Sequence, residues 1–210
     1  MKYKNLSITV YTPIQMTNAF KIKYIVYIIP IFFIFVIIFC SNNYPGLIYA
    51  QSSNNTNSTY QNSTYGITIK YPTVWKINDS GGIDDTDVDI VTFLSPDQNN
   101  NAALDVHQDK LDNASSDIGS YLRFSTSSYK GELKNFNVIE SDTSSSLAGN
   151  AAYKLIYTYT NDDGTTMKDL ETGTVIGNNK VYYLVYDSLE SDYQKYLPTV
   201  QSMISSLQIH

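Results

Sequence analysis

Cysteine is almost missing from this 210-residue chain: Cys40 is the only one, so no disulfide can staple the body of the protein, although an exported protein could have used one. Imidazole is nearly as scarce. His107 and His210 are the only histidines, and His107 alone lies inside the chain. With no Gly-x-Ser-x-Gly elbow, no cysteine nucleophile beyond residue 40 and one internal base, the sequence offers no hydrolase constellation. Glycine-rich phosphate loops and dinucleotide fingerprints are equally missing. The first fifty residues contain no Asp or Glu and only Lys2, Lys4, Lys21 and Lys23 as charges. All twenty acids come later, against ten Lys and Arg, a net of minus ten. A clustered basic surface is therefore lacking and nucleic acid is excluded as a partner.

What is present begins with an address. Residues 24–39 form a continuous apolar run interrupted only by Tyr27 and Pro30, with lysines on its N-terminal side. The charge bias orients the N-terminus toward the cytoplasm and sends the rest outward. The run lies between a signal h-region and a full span in length. The chain is thus expected outside the cytoplasm, either anchored in the membrane by residues 24–40 or secreted after cleavage near Ala50. Lipid attachment at Cys40 is disfavoured, because Ile38 and Phe39 precede it where small residues would be needed. Residues 1–50 form this signal or anchor segment, expected as an N-terminal hydrophobic helix. Residues 51–64 are almost wholly Ser, Asn, Thr and Gln, a composition with little to bury that predicts a disordered linker. Asn54, Asn57 and Asn62 each open an N-x-Ser/Thr sequon there, making them glycosylation candidates, with Asn78 and Asn113 as two more. Chance is the competing explanation in a chain so rich in Asn, Ser and Thr.

Residues 65–210 read as one domain. Tyr65, Ile67, Ile69 and Tyr71 alternate with Gly66, Thr68 and Lys70, the period of a strand with one buried face. Pro72 closes it, and Trp75, the only tryptophan, is expected in the core. Strands follow over Asp89–Leu94 and over Ala103–Asp109, the latter with Leu104 and Val106 inward and Asp105, His107 and Asp109 outward. A helix is predicted from Asn113–Asp117 to about Tyr129, with Gly131 ending it. Asn135–Asp142, with Phe136 and Val138 on one side, is the next strand, then Tyr153–Thr160, Thr165–Ile176 and Lys180–Asp187. Asn161-Asp162-Asp163-Gly164 and Gly177-Asn178-Asn179 mark hairpins between the last three. Both faces of Lys180–Asp187 are apolar, so that strand is central. The closing segment, Ser191–Leu207, carries a stripe of Leu197, Val200, Ile204 and Leu207, with Met203 beside it. Pro198 predicts a short turn followed by a new helix, and His210 is expected to fray. The fold class is α+β, an antiparallel sheet with helices packed on it.

Two local features could bind metal. Asp85, Asp87 and Asp89 stand two apart, so an extended backbone would put three hard oxygen ligands on one side, suited to calcium or manganese. A solvated acidic loop is the plainer alternative. His107 flanked by Asp105 and Asp109 could contribute to a transition-metal site only with help from a second element; otherwise it is an ordinary exposed histidine.

The opening YGITIKYPTVW, the run VTFLSP, the corner Leu147-Ala148-Gly149-Asn150-Ala151-Ala152-Tyr153, the strand KVYYLVYDS and the terminal YQKYLPTVQSMISSLQI together resemble the PsbP-like family. That family is named for an extrinsic subunit of the photosystem II oxygen-evolving complex, and its wider superfamily includes a Ran-binding protein. The resemblance covers about Thr64 to Ile209. It implies an α-β-α sandwich around a central antiparallel sheet, no catalytic residues, no cofactor, and a non-enzymatic role in binding or assembly at a membrane surface. With the leader, it points to a non-photosynthetic cell-surface relative whose partner would be a membrane or cell-surface protein. The alternative is a surface protein that takes calcium or manganese on the Asp84–Asp89 loop.

Overall fold

A computed structural model describes residues 56–79, 87–99, 101–111, 117–177 and 179–210. The expected hydrophobic segment and cleavage site, with Asn54, Asp85 and Asn113, lie outside these residues. Among the described residues no helix is long and apolar enough to cross a membrane.

In chain order the elements are β1 (Asn57–Asn62), β2 (Ile67–Pro72), β3 (Lys76–Asn78), β4 (Asp87–Leu94), β5 (Ala102–Lys110), α1 (Ile118–Glu132), β6 (Lys134–Leu147), β7 (Asn150–Thr160), β8 (Thr166–Ile176), β9 (Lys180–Leu189), α2 (Tyr193–Ser206) and β10 (Gln208–Ile209). Seven strands form one antiparallel sheet in the order β3-β4-β5-β9-β8-β7-β6, and β1-β2-β10 form a second, small one. On the large sheet, Leu104, Val106, Leu184 and Tyr186 face Val200 and Met203 of α2 together with Ile67 and Ile69 of the small sheet. Tyr153, Leu155, Tyr157, Val181 and Tyr183 face the opposite way, toward Tyr121 and Leu122 of α1. Strand β9 is therefore covered on both sides, as its sequence predicts.

The polar stretch before residue 65 is the main correction. Residues 57–62, expected in a linker, form β1 along β2, and Tyr60 is buried against Phe93. Asn62 makes the turn by accepting bonds from the backbone N–H groups of Thr64 and Tyr65. An edge strand needs only one inward residue, and composition alone conceals it. Asn57 and Asn62 thus lie on a strand, Asn57 exposed and Asn62 half-buried with its Nδ2 donating to Tyr60.

Trp75 is buried edge-on to Tyr196. Helix α1 is capped by Asp117, whose carboxylate accepts from the Ser120 N–H at 2.6 Å, and it runs through Gly131 to Glu132. Strand β6 is longer than predicted, and Val138 is exposed rather than packed, because β6 is an outer strand whose alternation is broken by three register shifts. Pro198 does not start a helix but sits inside α2. Both Pro198 and Gln194, whose carbonyl would have lost its partner, are exposed, so water can take that bond. His210 does not fray. Its N–H donates to the Gly66 carbonyl at 2.8 Å, extending the β10–β2 pairing. At Gly66 (φ 67°) a Cβ would stand 2.9 Å from the His210 carbonyl oxygen, so the close approach of the two segments requires glycine.

Candidate functional site

The α1 side of the large sheet carries most of the domain's buried chemistry. Residues paired across antiparallel strands share a face, and the register lines them up in rows. One row holds Asp187, Asp169 and Tyr157 of β9, β8 and β7. The next holds Thr92, Asp105, Val185, Glu171 and Leu155, and a third Asp89, His107, Tyr183, Gly173 and Tyr153. Asp169 and Glu171 are fully buried.

Glu171 is held by two phenols. Tyr129 of α1 donates to its Oε2 at 2.6 Å and Tyr153 donates to its Oε1 in a short bond. Burial pushes the Glu171 carboxyl up, and those donors oppose the rise. Tyr153 reaches Glu171 by crossing over Gly173, where a Cβ would fall 2.6 Å from the Tyr153 ring and 2.8 Å from Tyr183 Cβ. Burial also drives the hydroxyls of Tyr129, Tyr153 and Tyr157 well above their usual range, and the nearby carboxylates add to it. Such phenols donate and do not ionise. Their rings close over the carboxyls: Tyr129 stands 5.1 Å from Tyr157, and Tyr121 is 5.7 Å from Tyr153.

At the far end of this face His107 corrects the expectation of an exposed imidazole. Its side chain is 14% accessible, stacks on Tyr183 at 4.6 Å, and places Nδ1 2.5 Å from Asp89 Oδ1. The His107 bond lowers the Asp89 carboxyl against the effect of burial. Of the acidic trio, Asp89 is therefore engaged by a histidine, Asp87 is described only as backbone paired with Asp109, and Asp85 lies outside the described residues. Asp105, predicted outward, is half-buried, bonded by Thr92 Oγ1 at 2.5 Å and pushed up by burial. Among the described residues no three His, Cys, Asp or Glu side chains gather as a metal site.

Sequence reasoning missed Asp169, Glu171 and Asp187, since acids alternating with other residues read as a solvent-facing row. The signal against that reading lay in the neighbours: β8 sits between β9, apolar on both faces, and the face of β7 that carries Tyr153, Leu155, Tyr157 and Tyr159.

The opposite side of the molecule holds an open cleft of about 690 Å³. One wall is the β6–β7 corner, where Ala148 and Gly149 both adopt positive φ (49° and 79°). Consecutive positive φ values are those of a type I′ turn, and alanine there is strained. The other wall is the end of α2 with β10, whose outer edge has no neighbouring strand among the described residues. Ser206 fixes that wall: its Oγ accepts from the Lys70 N–H at 2.9 Å and donates to the Met203 carbonyl at 2.7 Å. Lys70 and His210 line the cleft, and no Asp or Glu does. The groups on offer are hydroxyls, backbone amides and a cation, suited to recognition rather than to bond-breaking.

No curated protein matches the chain in sequence. Among solved structures, cyanobacterial PsbP (CyanoP) from Synechocystis sp. PCC 6803 is similar, with a TM-score of 0.57, 15% identity, and coverage of 76% of this chain and 96% of that one. LpqN of Mycobacterium tuberculosis, described as involved in cell envelope biogenesis, is similar with a TM-score of 0.54 and 15% identity, covering 73% of this chain and 90% of that one. At such identity these likenesses speak for the fold, two helices on antiparallel sheet. The family model of PsbP matches residues 55–209, and the chain belongs to the PsbP family.

Proposed function

We propose that this protein is a non-enzymatic, extracytoplasmic binding or assembly module that engages a membrane or cell-surface partner through the cleft beside Ala148 and Gly149. The observation that carries this reading is the make-up of that cleft. It is open, no Asp or Glu side chain lines it in a chain of net negative charge, and it joins a strained turn to an edge of β10 that has no neighbouring strand among the described residues. Complementary charge and an available strand edge are the usual means of taking hold of an extended segment. The carboxyls on the α1 face fit a structural role better than a catalytic one, since phenols bond Glu171 and the sheet buries Asp169. The apolar run at residues 24–39 supports a location outside the cytoplasm, and LpqN, tied to the cell envelope, offers a parallel.

The test is crosslinking of the tagged full chain on membranes from its source cells, alongside a Gly149→Arg variant that fills the cleft mouth. A discrete crosslinked partner present with the wild type and lost with the variant supports the reading. Identical products from both chains, or cleavage of the domain's native surroundings by added protein, would overturn it. Protease treatment of intact cells checks location: the domain should be digested without lysis.

A further inference from the structure

Asp169 and Asp187 stand directly opposite one another on β8 and β9. Asp169 is fully buried, with Tyr157 and Asp187 as the groups that bond its carboxyl, and the half-buried Asp187 is bonded in turn by Asp169 and Tyr159. Among the described residues neither forms an ion pair. The titratable groups around them come from every adjoining element: Tyr157 and Tyr159 of β7, Glu171 of β8, Asp105 of β5, Tyr129 of α1 and Tyr193 of α2. All are acids. Of the basic groups, His107 acts on Asp105 and Glu171, and Lys168 Nζ lies 4.5 Å from the centroid of the Tyr193 ring.

Two adjacent buried carboxylates cannot both ionise without a counter-charge. An ionised carboxylate only accepts, so the two can bond each other only when one carries a proton. Burial and then the charge of Asp187 push Asp169 well up, while burial pushes Asp187 up to about 6. This pair is also coupled to α1. Tyr157, across from Asp169, packs under Tyr129, and the hydroxyls that tie α1 down end on carboxylates, Tyr129 on Glu171 and Tyr121 on Asp109.

We propose that Asp169 and Asp187 share a single proton across β8 and β9, and that this proton acts as a latch: with it α1 stays seated on the sheet, and without it the helix lifts from the tyrosine-covered face. The protein would accordingly be closed in mildly acidic to neutral surroundings and loosened in alkaline ones.

Amide hydrogen exchange on the full chain, corrected for the intrinsic effect of pH, reads the latch directly. Between about pH 5 and about pH 9 the protection of α1 should fall by about tenfold or more while β5 and β9 change little. In Asp169→Asn, which cannot ionise, the fall should vanish. Constant α1 protection in the wild type, or the same fall in the variant, overturns the proposal. Should the variant fail to fold, infrared difference spectra of the wild type decide. A protonated-carboxyl stretch present at neutral pH and lost on alkalinisation supports the shared proton, and its absence at neutral pH refutes it.

Discussion

The two faces of the seven-stranded sheet are closed by different physics. On the α2 side, Leu104, Val106, Leu184, Val200 and Met203 meet in a core that buries phenols but no carboxyl, and the Tyr182 and Tyr186 hydroxyls donate to backbone carbonyls. On the α1 side, the phenols meet buried carboxyls, Asp169 and Glu171, and order depends on who holds each proton. The first kind of core loses stability when volume is removed. The second loses it when a donor or a proton is removed.

That contrast can be broken at several points. Leu184→Ala, in the fully buried α2 core, should cost about 2–5 kcal/mol in urea unfolding, by nearly the same amount at acid and neutral pH. If the loss varied strongly with pH, the apolar face would not be the indifferent one. Tyr153→Phe should cost about 1–3 kcal/mol, because Glu171 loses one of its two donors. That bond holds the carboxyl down, so its removal raises the folded-state pKa further. The cost should therefore grow as pH rises, which chemical denaturation at two pH values will check. Gly173→Ala should cost about 1–3 kcal/mol through overpacking against Tyr153 and Tyr183, and a displaced Tyr153 should show in near-ultraviolet circular dichroism. On the exposed outer strand β6, Ile139→Ser should shift stability by no more than about 0.5 kcal/mol, since Ile139 is already half in water.

Much of this was legible in the residues. Alternation located β2, β5, β7 and β9, and the two apolar parities of Lys180–Asp187 identified the sheet's centre. The family resemblance rested on the same segments. What was hidden depended on context. Strand β1 has one inward residue, Tyr60, in a run that composition assigns to a linker. Asp169 and Glu171 resemble a solvated row until β7 and β9 are set on either side of them. Pro198 reads as a helix start, yet α2 tolerates it because the bond it removes faces solvent. The cleft could not be foreseen at all, since it joins the corner at residue 148 to the chain's last residues across two sheets.

The contrast between the faces is tested most directly by the pH dependence of unfolding free energy for the wild type and Asp187→Asn. Folding raises the Asp187 carboxyl from its ordinary value to about 6, so the folded state holds this proton more tightly, and its loss takes the pair from two protons to the single shared one, which Asp169 keeps to higher pH. The stability this provides is complete below the unfolded-state value and is lost as pH rises toward about 6. Wild-type stability should thus fall relative to the variant between about pH 4 and about pH 6, by an amount of order a few kcal/mol, at about 1.4 kcal/mol per pKa unit. A difference that stays flat across that window, or one in which the wild type gains on the variant as pH rises, would contradict a proton-held face.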